Sequence, residues 1–402
     1  MRYVMVHAGG MADRPYPELN GRTPLQVAAT PHLDRLAQIG ELGQLMIPSD
    51  GIRHGSGLLD VAILGYDPKK YYQGPGPLEA ASLGVSVTEH DVVYRCTMVT
   101  LRPEGGKGVE IKKLGPHVIM DDATAGLIET EEARELIEAI NEQLGSETIQ
   151  FYPGAGHRHL MVWVKGKPRA LCTNPQTILG QSIADALPTG DGADILRKLM
   201  DAAHLTLRDH LVNDGRIAAG KKPANCVWLW GEGRAVMWPS LMEKYKIAGS
   251  VVATSDVYRG VGISAGLEAV DAERLADGGL RTKAAVALEE LTKKDFVYVH
   301  AELTDEVIQG IDIKAKVRGI EEFDRDLVGP LVEGLAKQGP YRFLVICDHA
   351  EDPQSPAFYA FGEGSRNNSE TVNRRFTEAD ALAMNMSARD ATKFVNKFFS
   401  KS

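Results

Sequence analysis

The segment Tyr3-Val4-Met5-Val6-His7-Ala8-Gly9-Gly10 decides the fold. Its first five residues read as a short buried strand, and the small residues that follow end it in a turn. Working outward, residues 227–230, 250–254, 296–301 and 343–347 are further apolar runs bounded by turn residues. Short runs of this kind, without polar alternation, suit central parallel strands covered on both faces. Amphipathic stretches separate them. Residues 30–40 predict a helix with Thr30 as N-cap and Pro31 in the first turn. Residues 131–144, 314–327 and 391–399 predict three more helices. Strands alternating with helices make the fold class α/β.

This organisation says where function should sit, because sites in open α/β sheets form beyond the carboxyl ends of strands. His7-Ala8-Gly9, residues 301–305 and Cys347-Asp348-His349 occupy such ends. The middle of the chain, residues 86–224, has its own strands and helices and carries Arg95, His157, Arg158, His159 and Arg216. It reads as an α+β domain inserted into a core formed by 1–85 and 225–402. His157 and His159 read as a polar surface of that insert, and Trp228 and Trp230 as core packing.

Composition narrows the partners. A chain of 402 residues with 44% hydrophobic and 25% charged residues can bury a large core. Its net charge of −9 argues against a nucleic-acid binder. No apolar run reaches the roughly 18 residues of a membrane span. Cys96, Cys172, Cys226 and Cys347 lack metal-ligand spacing and fit reduced thiols in a cytoplasmic protein. The expected partners are a small phosphorylated metabolite or another protein, with no nucleic acid and no membrane.

Residues 55–68, Gly-Ser-Gly-Leu-Leu-Asp-Val-Ala-Ile-Leu-Gly-Tyr-Asp-Pro, place Ser56 in a glycine-rich loop. Taken alone, such a serine is a turn residue. Together with Gly10-Met11-Ala12-Asp13, Thr30-Pro31-His32-Leu33-Asp34, Gly76-Pro77-Leu78-Glu79-Ala80, Phe151-Tyr152-Pro153-Gly154, Arg158-His159-Leu160, Trp228-Leu229-Trp230-Gly231 and Asp348-His349, in this order, the loop resembles the archaeal-type cofactor-independent phosphoglycerate mutases. That family belongs to the alkaline phosphatase superfamily. The resemblance implies an alkaline-phosphatase-like core, with a central mostly parallel sheet flanked by helices, and the inserted domain.

It also implies a serine nucleophile and two divalent ions that neutralise the transferring phosphoryl group. The first ion's ligand positions correspond to Gly9, Ser56, Asp348 and His349, and Gly9 stands where the family has an aspartate. The second ion's positions correspond to Asp305 and, where a histidine is expected, Gln309; no histidine follows His349. Gly57 and Asp60 replace an acid and an amide beside the serine, and Pro75 replaces an arginine. Leu127 falls at a histidine position of the insert, and Asp214-Gly215 replace basic residues. A relocated ligand set of His7, His54 and Asp60 matches no spacing pattern.

The resemblance therefore implies Ser56 as catalytic residue, with Arg95, Arg158 and Lys283 as anion contacts. Asp305, Asp348 and His349 remain as residual metal ligands, for one Mn²⁺, Zn²⁺ or Mg²⁺ or for none. Two functions follow. One is a mutase homologue with its two-metal site largely dismantled, working as a binding or scaffolding subunit. The other is a single-metal phosphotransferase that interconverts 3-phospho- and 2-phosphoglycerate or phosphorylates another small acceptor such as homoserine.

Overall fold

The computed structural model describes the chain except for residues 49–51, 53–55, 107–109, 277–278, 303–311, 350–355, 365–371, 385–387 and 401–402. It divides into two compact units, Met1–Tyr72 with Trp238–Ser402, and Gln73–Met237. The first unit contributes β1 (Arg2–Ala12) and β2 (Glu41–Met46) before the chain enters the second unit. There it forms β3 (Val92–Pro103), β4 (Val118–Asp122), β5 (Ile149–Tyr152), β6 (Arg158–Trp163), β7 (Ala170–Leu171), β8 (Thr189–Gly190) and β9 (Cys226–Arg234). It returns to the first unit for β10 (Gly249–Val252), β11 (Glu268–Ala269), β12 (Phe296–Glu302), β13 (Tyr341–His349), β14 (Ala357–Glu363) and β15 (Arg389–Asp390).

The first unit is built on one sheet in the order β11-β10-β12-β1-β13-β14-β2-β15. Strands β11, β10, β12, β1 and β13 run parallel, while β14 is antiparallel to both neighbours. Period-two alternation sorts the side chains. Val4, Val6 and Ala8 of β1 join Val297, Val299, Ala301, Phe343, Val345 and Cys347 in one buried cluster. The helices Ile313–Phe323, Gly329–Gln338 and Leu280–Glu290 contribute to that same cluster. On the opposite face Tyr3 and Phe296 pack edge-on against Phe399 of the helix Ala391–Phe399. Further along that face, in register, come Met5 beside Tyr298 and His7 beside His300. The face that is aromatic at its amino end thus becomes polar at its carboxyl end.

The predicted helix at 30–40 runs Pro31–Ile39, but Thr30 does not cap it through its side chain. Asp324 does, accepting from the backbone N–H groups of His32 and Leu33 at 3.1 and 2.7 Å. The stretch expected as one helix at 314–327 is α-helical over Ile313–Phe323 and widens to a π-turn at Asp324–Val328, which carries this capping carboxylate.

The second unit holds an antiparallel sheet, β4-β3-β6-β5 with β9 paired to β3, and the small hairpin β7-β8. Here the reading of 227–230 as a parallel core strand is corrected. These residues lie in β9, antiparallel to β3, with Trp228 buried and its Nε1–H donating to the Thr173 carbonyl at 2.8 Å. A short apolar run looks the same in either setting, because both bury two faces. Since β9 and the helix Pro75–Ser82 pack with β3, residues 73–85 and 225–237 belong to this unit rather than to the core. Among the described residues no helix is long and apolar enough to cross a membrane.

Candidate functional site

The polar groups converge where β1, β12 and β13 end. β1 is irregular against β13 between Ala8 and Ala12, the stretch that holds Gly9 and Gly10. Gly10 adopts φ +67°, a left-handed conformation that glycine takes without a side-chain clash. The irregularity turns the Gly10 N–H toward Asp348, and it donates to Asp348 Oδ1 at 2.6 Å. After the turn that holds Ser56, Gly57 at φ +87° starts the short helix Leu58–Ile63, which buries Asp60 in its first turn. Ser56 itself is exposed, and its carbonyl accepts from the Tyr72 hydroxyl at 3.2 Å.

His7 is the hub of this region. Its ring is 1% exposed, and Nδ1–H donates to Asp60 Oδ1 at 2.6 Å. Nε2 faces Asp348 Oδ2 at 3.5 Å. The Tyr298 hydroxyl donates to the same Asp60 oxygen. His300 meets His7 edge-on, with ring centroids 4.8 Å apart, and stacks at 3.3 Å on Tyr258 of the helix Asp256–Ser264.

Electrostatics separates the two histidines. Burial works against a proton on His7, but the carboxylates of Asp60 and Asp348 outweigh it and raise His7 well above an ordinary imidazole. Burial lowers His300 far below the ordinary value, and the neighbouring His7 and Lys283 charges add to the effect. These directions favour the proton on His7 and the neutral ring at His300. Burial would raise the Asp348 carboxyl, yet His7 and the Gly10 N–H bring it below its usual value.

The residues expected from the sequence fall into three groups. Asp348 and Lys283 belong to this region: Lys283, buried in the helix Leu280–Glu290, donates from Nζ to the His300 carbonyl at 3.3 Å. Arg95 and Arg158 belong to the second unit. Arg95 grips Glu79 with two hydrogen bonds, at 3.0 and 2.7 Å, and lies over Trp230, whereas Arg158 is exposed at the start of β6. Asp305, Gln309 and His54 lie outside the described residues, and of His349 only the backbone, paired with Ala12, is described. His159, read as part of a polar surface, is buried instead, and burial beside His157 lowers it to about 3.

Sequence reasoning missed His300, Tyr298 and Tyr258, although it paired His7 with Asp60 in a set it could not support. A signal was present. Val4-Met5-Val6-His7 and Val297-Tyr298-Val299-His300 are two apolar runs that each end in histidine. Adjacent parallel strands place such ends side by side.

A mostly parallel sheet flanked by helices, with its polar groups gathered at the strands' carboxyl ends, defines an alkaline-phosphatase-like α/β protein. Solved structures agree on the fold. A Pyrococcus horikoshii protein superposes with a TM-score of 0.75 at 23% identity, covering 100% of this chain and 98% of that one. The cofactor-independent phosphoglycerate mutase of Thermoplasma acidophilum superposes with a TM-score of 0.60 at 23% identity, covering 100% of both chains. A family profile described as 2,3-bisphosphoglycerate-independent phosphoglycerate mutase matches residues 37–213. The chain is 42% identical, over 87% of its length and 86% of the relative's, to a probable 2,3-bisphosphoglycerate-independent phosphoglycerate mutase of Geobacter sulfurreducens. It is 35% identical to the Methanosarcina barkeri enzyme of that name, over 96% of each. The chain belongs to the 2,3-bisphosphoglycerate-independent phosphoglycerate mutase family.

Proposed function

We propose that this chain is a phosphoglycerate mutase homologue whose two-metal site is largely dismantled, which lacks standard mutase turnover and works as a binding or scaffolding subunit. The observation that carries this reading is the environment of Asp348. Its carboxylate, at a ligand position of the family pattern, faces His7 Nε2 at 3.5 Å and accepts from the Gly10 N–H at 2.6 Å. Gly9, at the aspartate position, offers no side chain to a metal. Both features argue against the family's first ion at this position.

Two of the three expected anion contacts point the same way. Arg95 is committed to Glu79, and Lys283 to the His300 carbonyl. Metal stabilisation of the transferring phosphoryl group is worth several kcal/mol, so its loss removes most of the rate. The test is a coupled assay for conversion of 3-phosphoglycerate to 2-phosphoglycerate, with and without Mn²⁺, on the wild type and on Ser56→Ala. The expected result is no Mn²⁺-stimulated turnover and no difference between the two proteins. Turnover that rises with Mn²⁺ and disappears in Ser56→Ala would sink the reading.

A further inference from the structure

We propose that a pocket at the amino end of the first unit's sheet binds a small monocarboxylate with a short apolar body. The pocket lies where β2 and β13 begin and β14 ends, and its volume is about 350 Å³. Arg342 in its lining precedes Asp348 by six residues on β13, which places it about 20 Å from the polar groups at the carboxyl end. The inference does not rest on the function proposed above.

Cross-strand pairing builds the pocket. Arg342 stands opposite Glu363 and Phe361 opposite Glu41, so period-two alternation puts these side chains on one face. Phe361 packs edge-on against Phe394 and Phe398 of the helix Ala391–Phe399, which fixes it as a wall. Lys397 of the same helix holds its ammonium over Phe361, 5.8 Å from the ring centroid. Ile39 adds a second apolar surface.

A second observation points to a ligand. Arg342 is only 4% exposed. Its Nη1 donates to the carbonyls of Lys397, Phe398 and Ser400, which satisfies acceptors left over at the end of the helix. Its Nε lies 2.9 Å from Glu363 Oε1. These contacts among the described residues use Nη1 and Nε and leave Nη2 for a ligand oxygen.

Charge selects the ligand. Glu41 is shared by Lys397, Arg389 and the Tyr359 hydroxyl. Arg342, Lys397 and Arg389 therefore outnumber Glu41 and Glu363 by one positive charge. A monocarboxylate completes this balance, with one oxygen on Arg342 Nη2 and the other on Lys397 Nζ. Glu41 and Glu363 repel a dianion, and Phe361 and Ile39 cover the apolar body.

The experiment is a saturation-transfer NMR titration of the full-length chain with phenylacetate at constant ionic strength, with phenylacetamide and inorganic phosphate as controls. The expected result is a Kd of about 1 mM or tighter for phenylacetate, and values at least about 10-fold weaker for both controls. Lys397→Gln should weaken phenylacetate binding at least about 10-fold, through the loss of one charge-assisted hydrogen bond. Lys393→Gln, on the same helix and paired with Asp390, should leave it within about 2-fold. Ser400→Trp fills the pocket from its exposed rim and should abolish binding. Circular dichroism verifies each fold, and Ser400→Trp decides the question where Lys397→Gln does not fold. Absence of binding at ~10 mM phenylacetate overturns the proposal. So does equal binding of phenylacetamide, because recognition would then be apolar, or tighter binding of phosphate, because the ligand class would be wrong. Binding that survives Ser400→Trp also overturns it, because the ligand would then sit elsewhere.

Discussion

Replacing Asp60 by asparagine removes one charge from the site and almost no volume. Asp60 is 1% exposed and accepts from both His7 and Tyr298, so it is the acceptor on which the buried His7 cation depends most directly. Breaking a buried ion pair from one side typically costs about 3–5 kcal/mol, because the partner charge stays behind without compensation. The amide retains an oxygen for the two donors, and Asp348 still faces His7 Nε2 at 3.5 Å, which places the expected loss near the lower end, about 3 kcal/mol. At roughly 2–4 °C per kcal/mol for a unit of this size, the melting temperature should fall by about 6–12 °C. Urea unfolding of wild type, Asp60→Asn, His7→Gln and the double variant closes a cycle. The two losses should be non-additive by more than about 1.5 kcal/mol, since both remove the same contact. An Asp60→Asn loss under about 1 kcal/mol, or additive losses, would refute the buried pair.

Two other positions carry independent predictions. Burial favours protonation of Glu290, but hydrogen bonds from Ser250, Lys294 and Arg274 outweigh it and lower its carboxyl from 4.5 to about 2. A lowered carboxyl contributes stability that is complete above about pH 4.5 and lost as pH falls toward 2. Urea midpoints measured between pH 5 and pH 2 should fall less steeply in Glu290→Gln than in the wild type. Gly262 lets the helix Asp256–Ser264 rest directly on β10, where an added Cβ would lie 2.5 Å from Val251 Cβ. Gly262→Ala should therefore cost about 1–3 kcal/mol in the same unfolding assay.

The parallel core was legible because its strands are unbroken apolar runs ending at turn residues. The same logic misassigned 227–230, since an antiparallel strand buried on both faces has an identical pattern. Domain limits were harder to read, because the pairing of β9 with β3 joins residues more than 120 apart in sequence. The site was half legible. The place of Asp348 at a strand's carboxyl end could be read from the apolar run before it. What Asp348 touches could not be found, because His7 reaches it only through strand order and the irregularity at Gly9-Gly10. Arg95 and Lys283 look like available cations in a sequence. Their engagement with Glu79 and the His300 carbonyl exists only in three dimensions.

The proposed function requires that this fold persist without the family's metal-driven chemistry. The most direct test is mutase turnover of this chain measured beside the Methanosarcina barkeri relative, under the same Mn²⁺ and 3-phosphoglycerate concentrations. Loss of several kcal/mol of transition-state stabilisation predicts a rate at least about 10⁴-fold below that of the relative, unchanged by Ser56→Ala. A rate within about 100-fold of the relative, abolished in Ser56→Ala, would contradict the proposed function.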